Sequence, residues 1–263
     1  MRTAILAITL AAAPVFAAEP PMQKGAPVPE ITAAERAAAF PDLGNATMRG
    51  HMDDDPIISR FMIDRLEFRR VEGPDPLNWD ANVWIGRDFN KLLIRTEGEV
   101  VDGRVEDADL EALWARPVSR WWSLVAGARQ DFKPKAARSW LAAGVEGLAP
   151  YQFHVKATGY VGEQRRTALR LETEYDLLLT NRWILQPRVE INAYGKSDVS
   201  RGIGSGISDL ELGLRLRFEI RREVAPYLGV AWVNKFGGTA DIANANGEDP
   251  HELQALVGLR VWY

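Results

Sequence analysis

The stretch Leu210–Arg221, LELGLRLRFEIR, sets Leu210, Leu212, Leu214, Leu216, Phe218 and Ile220 at every second position, with Glu211, Gly213, Arg215, Arg217, Glu219 and Arg221 between them. A helix would spread those charges around its circumference. An extended strand gathers all the apolar side chains on one face and all the charges on the other. The segment reads as a two-faced β-strand.

Three more segments share this design. Leu169, Leu171, Thr173, Tyr175, Leu177 and Leu179 stand against Arg170, Glu172, Glu174 and Asp176; Trp183, Leu185, Pro187, Val189 and Ile191 stand against Gln186, Arg188, Glu190 and Asn192. Phe153, Val155, Ala157, Gly159 and Val161 oppose His154, Lys156, Thr158 and Tyr160. Weaker versions near 61–71, 78–87, 91–101, 105–116, 121–132, 138–148, 225–237 and 251–263 bring the total to about twelve, with ten as the main alternative. The first is the least regular, because Met62, Asp64, Leu66 and Phe68 place an acid on the intended apolar face.

The links between strands fall into two classes. Tight turns are expected at Arg87–Asn90, Pro117–Arg120, Ala149–Pro150, Thr180–Arg182 and Arg222–Glu223, and the two longest links, Ser197–Ser205 and Gly237–Glu248, lie on the opposite side. Bacterial outer-membrane barrels have an even strand number, short periplasmic turns and longer external loops. Trp121, Trp122, Trp140, Tyr151, Trp183 and Tyr227 fall near strand ends, where interfacial aromatic girdles lie, and Val257, Leu259, Val261 and Tyr263 share a face of the last strand. The expected fold is all-β: an antiparallel up-and-down transmembrane β-barrel over residues 58–263. A soluble lipocalin-like barrel or sandwich, with its apolar face inward, is the alternative that alternation alone leaves open.

The 263 residues contain no cysteine, which excludes disulfides and thiolate chemistry. Arg2, the apolar run Ala4–Ala13, Pro14, and Val15 and Ala17 at the −3 and −1 positions read as an export signal over residues 1–17, cleaved after Ala17. That run is shorter than the ~20 residues a membrane-spanning helix needs. Residues 18–57 are expected to form a periplasmic arm, with helix-forming residues at Ile31–Phe40. A formal net charge of −4 without a dense basic block argues against a nucleic-acid partner. Outer-membrane lipid is the expected surrounding.

With the apolar face toward lipid, Arg95, Glu97, Glu99, Asp107, Asp109, Glu111, Arg129, Asp131, Glu172, Glu174, Arg188, Glu190, Arg215, Arg217 and Glu219 point into the lumen. Two readings follow: a network of lumenal ion pairs, or a cation path through Asp107, Asp109 and Glu111. His154 is a secondary candidate on that path, while His251 opens the last strand. A second candidate site precedes the barrel, where Met48, His51, Met52, Asp53, Asp54 and Asp55 are followed by Met62. Thioether sulfur suits Cu(I), and imidazole with carboxylate suits Cu(II), so this mixture serves either state. No G-x-S-x-G elbow is present, and a barrel lipase would need its histidine facing lipid, so no enzymatic activity is expected.

Several blocks carry a family resemblance: GHMDDDP (50–56), LNWDANVW (77–84), DFNKLLIRTEGE (88–99), DFKP (131–134), GLAPY (147–151), LLLTNRWILQPRVEINAYGK (177–196), GIGSGISDLELGLRLRFEIRREVAPYLGV (202–230) and KFGGTAD (235–241). Together they resemble the copper resistance protein B family across nearly all of the chain after residue 50. The resemblance implies an outer-membrane barrel of Gram-negative bacteria that binds or passes copper ions in copper resistance. It also implies a methionine- and histidine-rich arm as the binding element, and copper as cargo, with a periplasmic copper protein as a further expected partner. In this chain that arm holds only Met22, Met48, His51 and Met52. The functional alternative is a general or cation-selective diffusion pore without a dedicated metal site.

Overall fold

The computed structural model describes residues 31–39, 55–133 and 135–263. Ala33–Ala39 forms helix α1, one run of alanines broken by Glu35 and Arg36. Its first turn is closed by a reciprocal cap. The Glu35 N–H donates to Thr32 Oγ1 at 3.2 Å, and the Thr32 N–H donates to Glu35 Oε2 at 2.9 Å.

A separate compact unit spans residues 54–263. Its strands are β1 (Ile58–Arg70), β2 (Leu77–Arg87), β3 (Asn90–Val101), β4 (Arg104–Pro117), β5 (Trp122–Asp131), β6 (Arg138–Ala149) and β7 (Phe153–Gly162). They continue with β8 (Arg166–Glu174), β9 (Leu177–Leu178), β10 (Trp183–Tyr194), β11 (Gly206–Phe218), β12 (Val224–Lys235) and β13 (His251–Trp262). Every neighbouring pair is antiparallel, and β13 closes on β1, so the sheet is a barrel. Both β8 and β9 pair with β10 and form one stave, giving twelve around the ring. Their interruption has a local cause. Tyr175 donates its N–H to the carbonyl of Pro187 at 3.1 Å, and Pro187 has no N–H to return the bond.

The Leu210 strand has its two faces as read. Leu212 and Leu214 are about two-fifths exposed on the outside, whereas Arg215 and Arg217 are buried within the lumen. The strand ends at Phe218, opposite Trp183 where β10 begins. Glu219, expected in the lumen, instead belongs to the turn, its N–H donating to the Arg182 carbonyl at 2.9 Å.

The irregular first strand is resolved by a β-bulge. Ile63 pairs with Ala81 and Arg65 with Asp80, leaving Asp64 as the extra residue. Before the bulge Arg60, Met62 and Asp64 line the lumen; after it Arg65, Glu67 and Arg69 do. Met62 therefore does not share the outward face with Leu66 and Phe68, which corrects the alternation as read.

The starting end of β1 and the finishing end of β13 meet at Met62 and Trp262, on the side of the short turns 88–89, 118–121, 150–152, 179–182 and 219–223. The longest links, 195–205 and 236–250, lie at the other end. That end is not uniformly long, since Asp102 and Gly103 make a two-residue hairpin with φ of 50° and 74°, the primed turn that suits strand twist. The last long link carries α2 (Gly237–Ala245), held against β11 by Thr239 Oγ1, which lies 2.9 Å from Ser208 Oγ and accepts the Gly204 N–H at 2.8 Å.

Two aromatics expected in the interfacial girdle, Trp140 and Tyr227, point into the lumen instead. Each lies on a glycine of the next strand, Trp140 on Gly162 and Tyr227 on Gly258. Trp121, Tyr151 and Trp183 are exposed at the short-turn end, as interfacial residues are.

Candidate functional site

Side chains occupy much of the lumen and leave separate cavities of about 350–640 Å³ between them. On the β3–β7 side an apolar cluster of Leu93, Leu113, Ala115, Val125, Trp140, Ala142 and Tyr160 lies inside, because β4 puts Leu113 and Ala115 on the same inward face as Asp109 and Glu111. The remaining interior is charge. Glu67 is fully buried and meets Arg215 Nε at 2.6 Å, Arg69 at 2.9 Å and the Tyr227 hydroxyl at 3.1 Å. Arg69 and Arg188 reach Glu211 at 2.9 and 3.6 Å, and Arg188 also holds Glu172 at 3.0 Å and Glu190 at 2.7 Å. Arg65 binds Asp80 at 2.8 Å, and Arg170 binds Glu97 at 2.8 Å.

Charges removed from water in this way are tolerable only when they are paired and their remaining donors are bonded. A wide aqueous channel would leave inward side chains wet. Here Glu67, Arg215, Arg217, Glu111 and Leu113 are all less than 5% exposed.

The acids read as a cation path are lumenal, but two are taken up in this network. Asp109 meets Arg129 at 2.9 Å, and Glu111 accepts the Tyr160 hydroxyl at 2.6 Å and lies 3.7 Å from Arg95. Asp107 lines the cavity of about 500 Å³ toward the long loops, together with Arg129, Arg138, Arg170 and Arg201. That mouth is latched by Asp198, which receives Arg138 Nη2 at 2.5 Å, Arg166 Nη1 at 2.8 Å and the Ser200 hydroxyl at 2.7 Å. Burial opposes the ionisation of Asp198, but those hydrogen bonds and the two guanidiniums outweigh it and hold its carboxyl at about 2.

A second cavity, of about 610 Å³, opens at the short-turn end, and His154 lines it with Met62 and Asp64. Met62 Sδ accepts from Arg60 Nη2 at 3.1 Å and lies 3.6 Å from Arg260 Nη2. A thioether flanked by two guanidiniums is poorly placed to receive a metal cation. Asp55 pairs with Arg87 at 3.0 Å on the surface, and His251 is exposed, its N–H donating to Asp249. Met48, His51, Met52, Asp53 and Asp54 lie outside the described residues. Among the described residues, no group of three or more His, Asp and Glu side chains is arranged to hold a metal ion.

Much of the network escaped the reading of the sequence. Arg65, Glu67 and Arg69 alternate, yet their face is assigned only once the bulge at Asp64 is known. Glu146, which pairs with Arg95 from two strands beyond β4, sits in a glycine- and alanine-rich strand with no neighbouring charge to mark it.

A family model described as "Copper resistance protein B precursor (CopB)" matches residues 57–263. The chain is 47% identical to "Copper resistance protein B" of Escherichia coli over 238 residues, which is 90% of this chain and 79% of that protein. It is also 47% identical to "Copper resistance protein B homolog" of Pseudomonas syringae pv. tomato over 244 residues, 92% of this chain and 81% of that protein. Among solved structures the NanC porin superposes with a TM-score of 0.53 at 12% identity, covering 76% of this chain and 98% of that one. At that identity the likeness is one of fold, an outer-membrane β-barrel.

Proposed function

We propose a function that starts from family membership: the chain belongs to the copper resistance protein B family and has a role in copper resistance as an outer-membrane barrel. In this reading it binds copper ions at the outer membrane, with copper as cargo and no reaction catalysed. The observation that carries it is the 47% identity to copper resistance proteins over nine-tenths of the chain.

The buried ion pairs that cross the lumen favour binding over free diffusion. Copper would meet Met48, His51 and Met52 ahead of the barrel, where sulfur and imidazole suit both oxidation states, with Asp53 and Asp54 as oxygen donors. Met62 drops out of this set, because Arg60 and Arg260 surround its sulfur. A periplasmic copper protein is the partner from which such a segment would receive its ion.

The test is copper titration of the refolded full chain, with and without ascorbate, against a Met48→Ala/His51→Ala/Met52→Ala variant. Binding by the native chain that falls at least tenfold in the variant supports the proposal. Equal binding by both, or by neither, overturns it.

A further inference from the structure

The cavity at the short-turn end carries a charge pattern that the copper reading does not use. Six cationic side chains line it, Arg60, Lys91, Arg95, Arg120, Lys156 and Arg260, against four carboxylates. Three of those carboxylates are paired with arginine, while Glu174 has only a neutral amide donor and Asp176 Oδ1 has no partner. Asp64 meets Arg260 at 3.0 Å, Glu146 meets Arg95, Asp176 receives Arg217 Nη2 at 2.9 Å, and Glu174 accepts from Gln186 at 3.3 Å. Lys156 is matched by Glu172 at 3.4 Å.

Three cations remain without a carboxylate among the described residues: Arg60, Lys91 and Arg120. Two of them are held in place by aromatic faces rather than by acids. The Arg60 guanidinium lies 5.5 Å from the Trp262 ring, and Lys91 Nζ lies 4.5 Å from the Trp84 ring. Arg60 also keeps a buried Nε with no hydrogen-bond partner, while its Nη2 is spent on a weak sulfur acceptor. A guanidinium fixed by stacking, with an unsatisfied donor and a second unpaired cation lining the same 610 Å³ space, is preorganised for an acceptor of opposite charge.

We infer that this cavity is a binding site for a small multivalent oxyanion, a phosphate or a polycarboxylate, entering from the short-turn end with Arg60 and Lys91 as its principal contacts. The inference is independent of where copper binds. Arg60 supplies a fixed guanidinium whose weak contact with Met62 Sδ a charged oxygen would replace, and Lys91 supplies a point charge. The short-turn end faces the periplasm in barrels of this kind, so a soluble periplasmic anion reaches the site without crossing the membrane.

The experiment is calorimetric titration of the refolded full chain in detergent with inorganic phosphate and, separately, with citrate. The proteins compared are the native chain, Arg60→Gln/Lys91→Gln, Lys91→Met alone, and Arg70→Gln, an exposed arginine at the opposite end. Saturable binding of one anion or both is expected for the native chain and for Arg70→Gln. The double variant should bind about tenfold more weakly or worse. Lys91→Met keeps an unbranched side chain of similar length and loses the charge, so it decides the matter if the double variant fails to refold, and it should also bind more weakly. Binding of phosphate alone assigns a phosphate site, and binding of citrate alone a carboxylate site. Absence of saturable binding by the native chain, or undiminished binding by Lys91→Met, overturns the proposal.

Discussion

Arg215 on β11 reaches into the lumen to Glu67 on β1, Nε to Oε1 at 2.6 Å, although β12 and β13 stand between their strands in the ring. Both side chains are at most 2% exposed, so this pair spans the barrel interior instead of zipping neighbouring strands.

That burial makes each partner costly to remove alone. Glu67→Ala should destabilise the barrel by about 3–5 kcal/mol, because it removes the carboxylate that Arg215 and Arg69 share and leaves both buried guanidiniums to Glu211. Replacing the pair by Glu67→Leu/Arg215→Met should recover part of the loss. Urea unfolding from lipid vesicles measures both, and a single-variant loss under about 1 kcal/mol would contradict the buried network.

Gly258 bears on the same pair. A Cβ there would lie 2.5–2.7 Å from the Tyr227 ring and hydroxyl, displacing the group that donates to Glu67. Gly258→Ala should therefore cost about 1–3 kcal/mol, while Tyr227→Phe at an unchanged glycine should cost less. Comparison of the two unfolding midpoints tests whether the close approach or the hydroxyl is worth more.

Asp198 latches the 195–205 loop at the barrel mouth, and its folded pKa of about 2 lies below the ordinary 3.8. The contribution of the latch is present above the ordinary value and is lost as the pH falls through about 2. Pepsin should spare this loop at pH 4 and cut it near pH 2. Asp198→Asn should be cut at both, and equal resistance of native and variant protein at pH 4 would remove the latch from consideration.

A lumen crossed by buried ion pairs should conduct little. In planar bilayers the native barrel is expected to give only small currents at ordinary salt. Large, steady and unselective conductance, indifferent to added copper, would restore the diffusion-pore reading.

On the outer face, Leu214→Arg should cost about 2–4 kcal/mol in vesicles, the depth-dependent effect of a cation near the bilayer midplane. The same change in a soluble barrel, where that face meets water, would be nearly neutral. The vesicle measurement therefore tests the lipid-facing assignment directly.

Period-two alternation alone was enough to reveal the staves of the barrel and the separation of leucine from charge along Leu210–Phe218, because side-chain direction in a strand follows residue parity. The blocks from Gly50 to Asp241 were enough to indicate the family, since they are properties of the chain itself. Parity fails wherever a single residue is inserted, and so the bulge at Asp64, which turns Met62 inward and sets Glu67 toward Arg215, emerged only from the pairing of β1 with β2. Closure decided the rest. Trp140 and Tyr227 look like interfacial aromatics along the chain, but they turn inward onto glycines of the next strand, and the closed ring brings Glu67 on β1 within reach of Tyr227 on β12 and Arg215 on β11. Such contacts depend on curvature and on registers summed around twelve staves, which no local pattern of residues encodes.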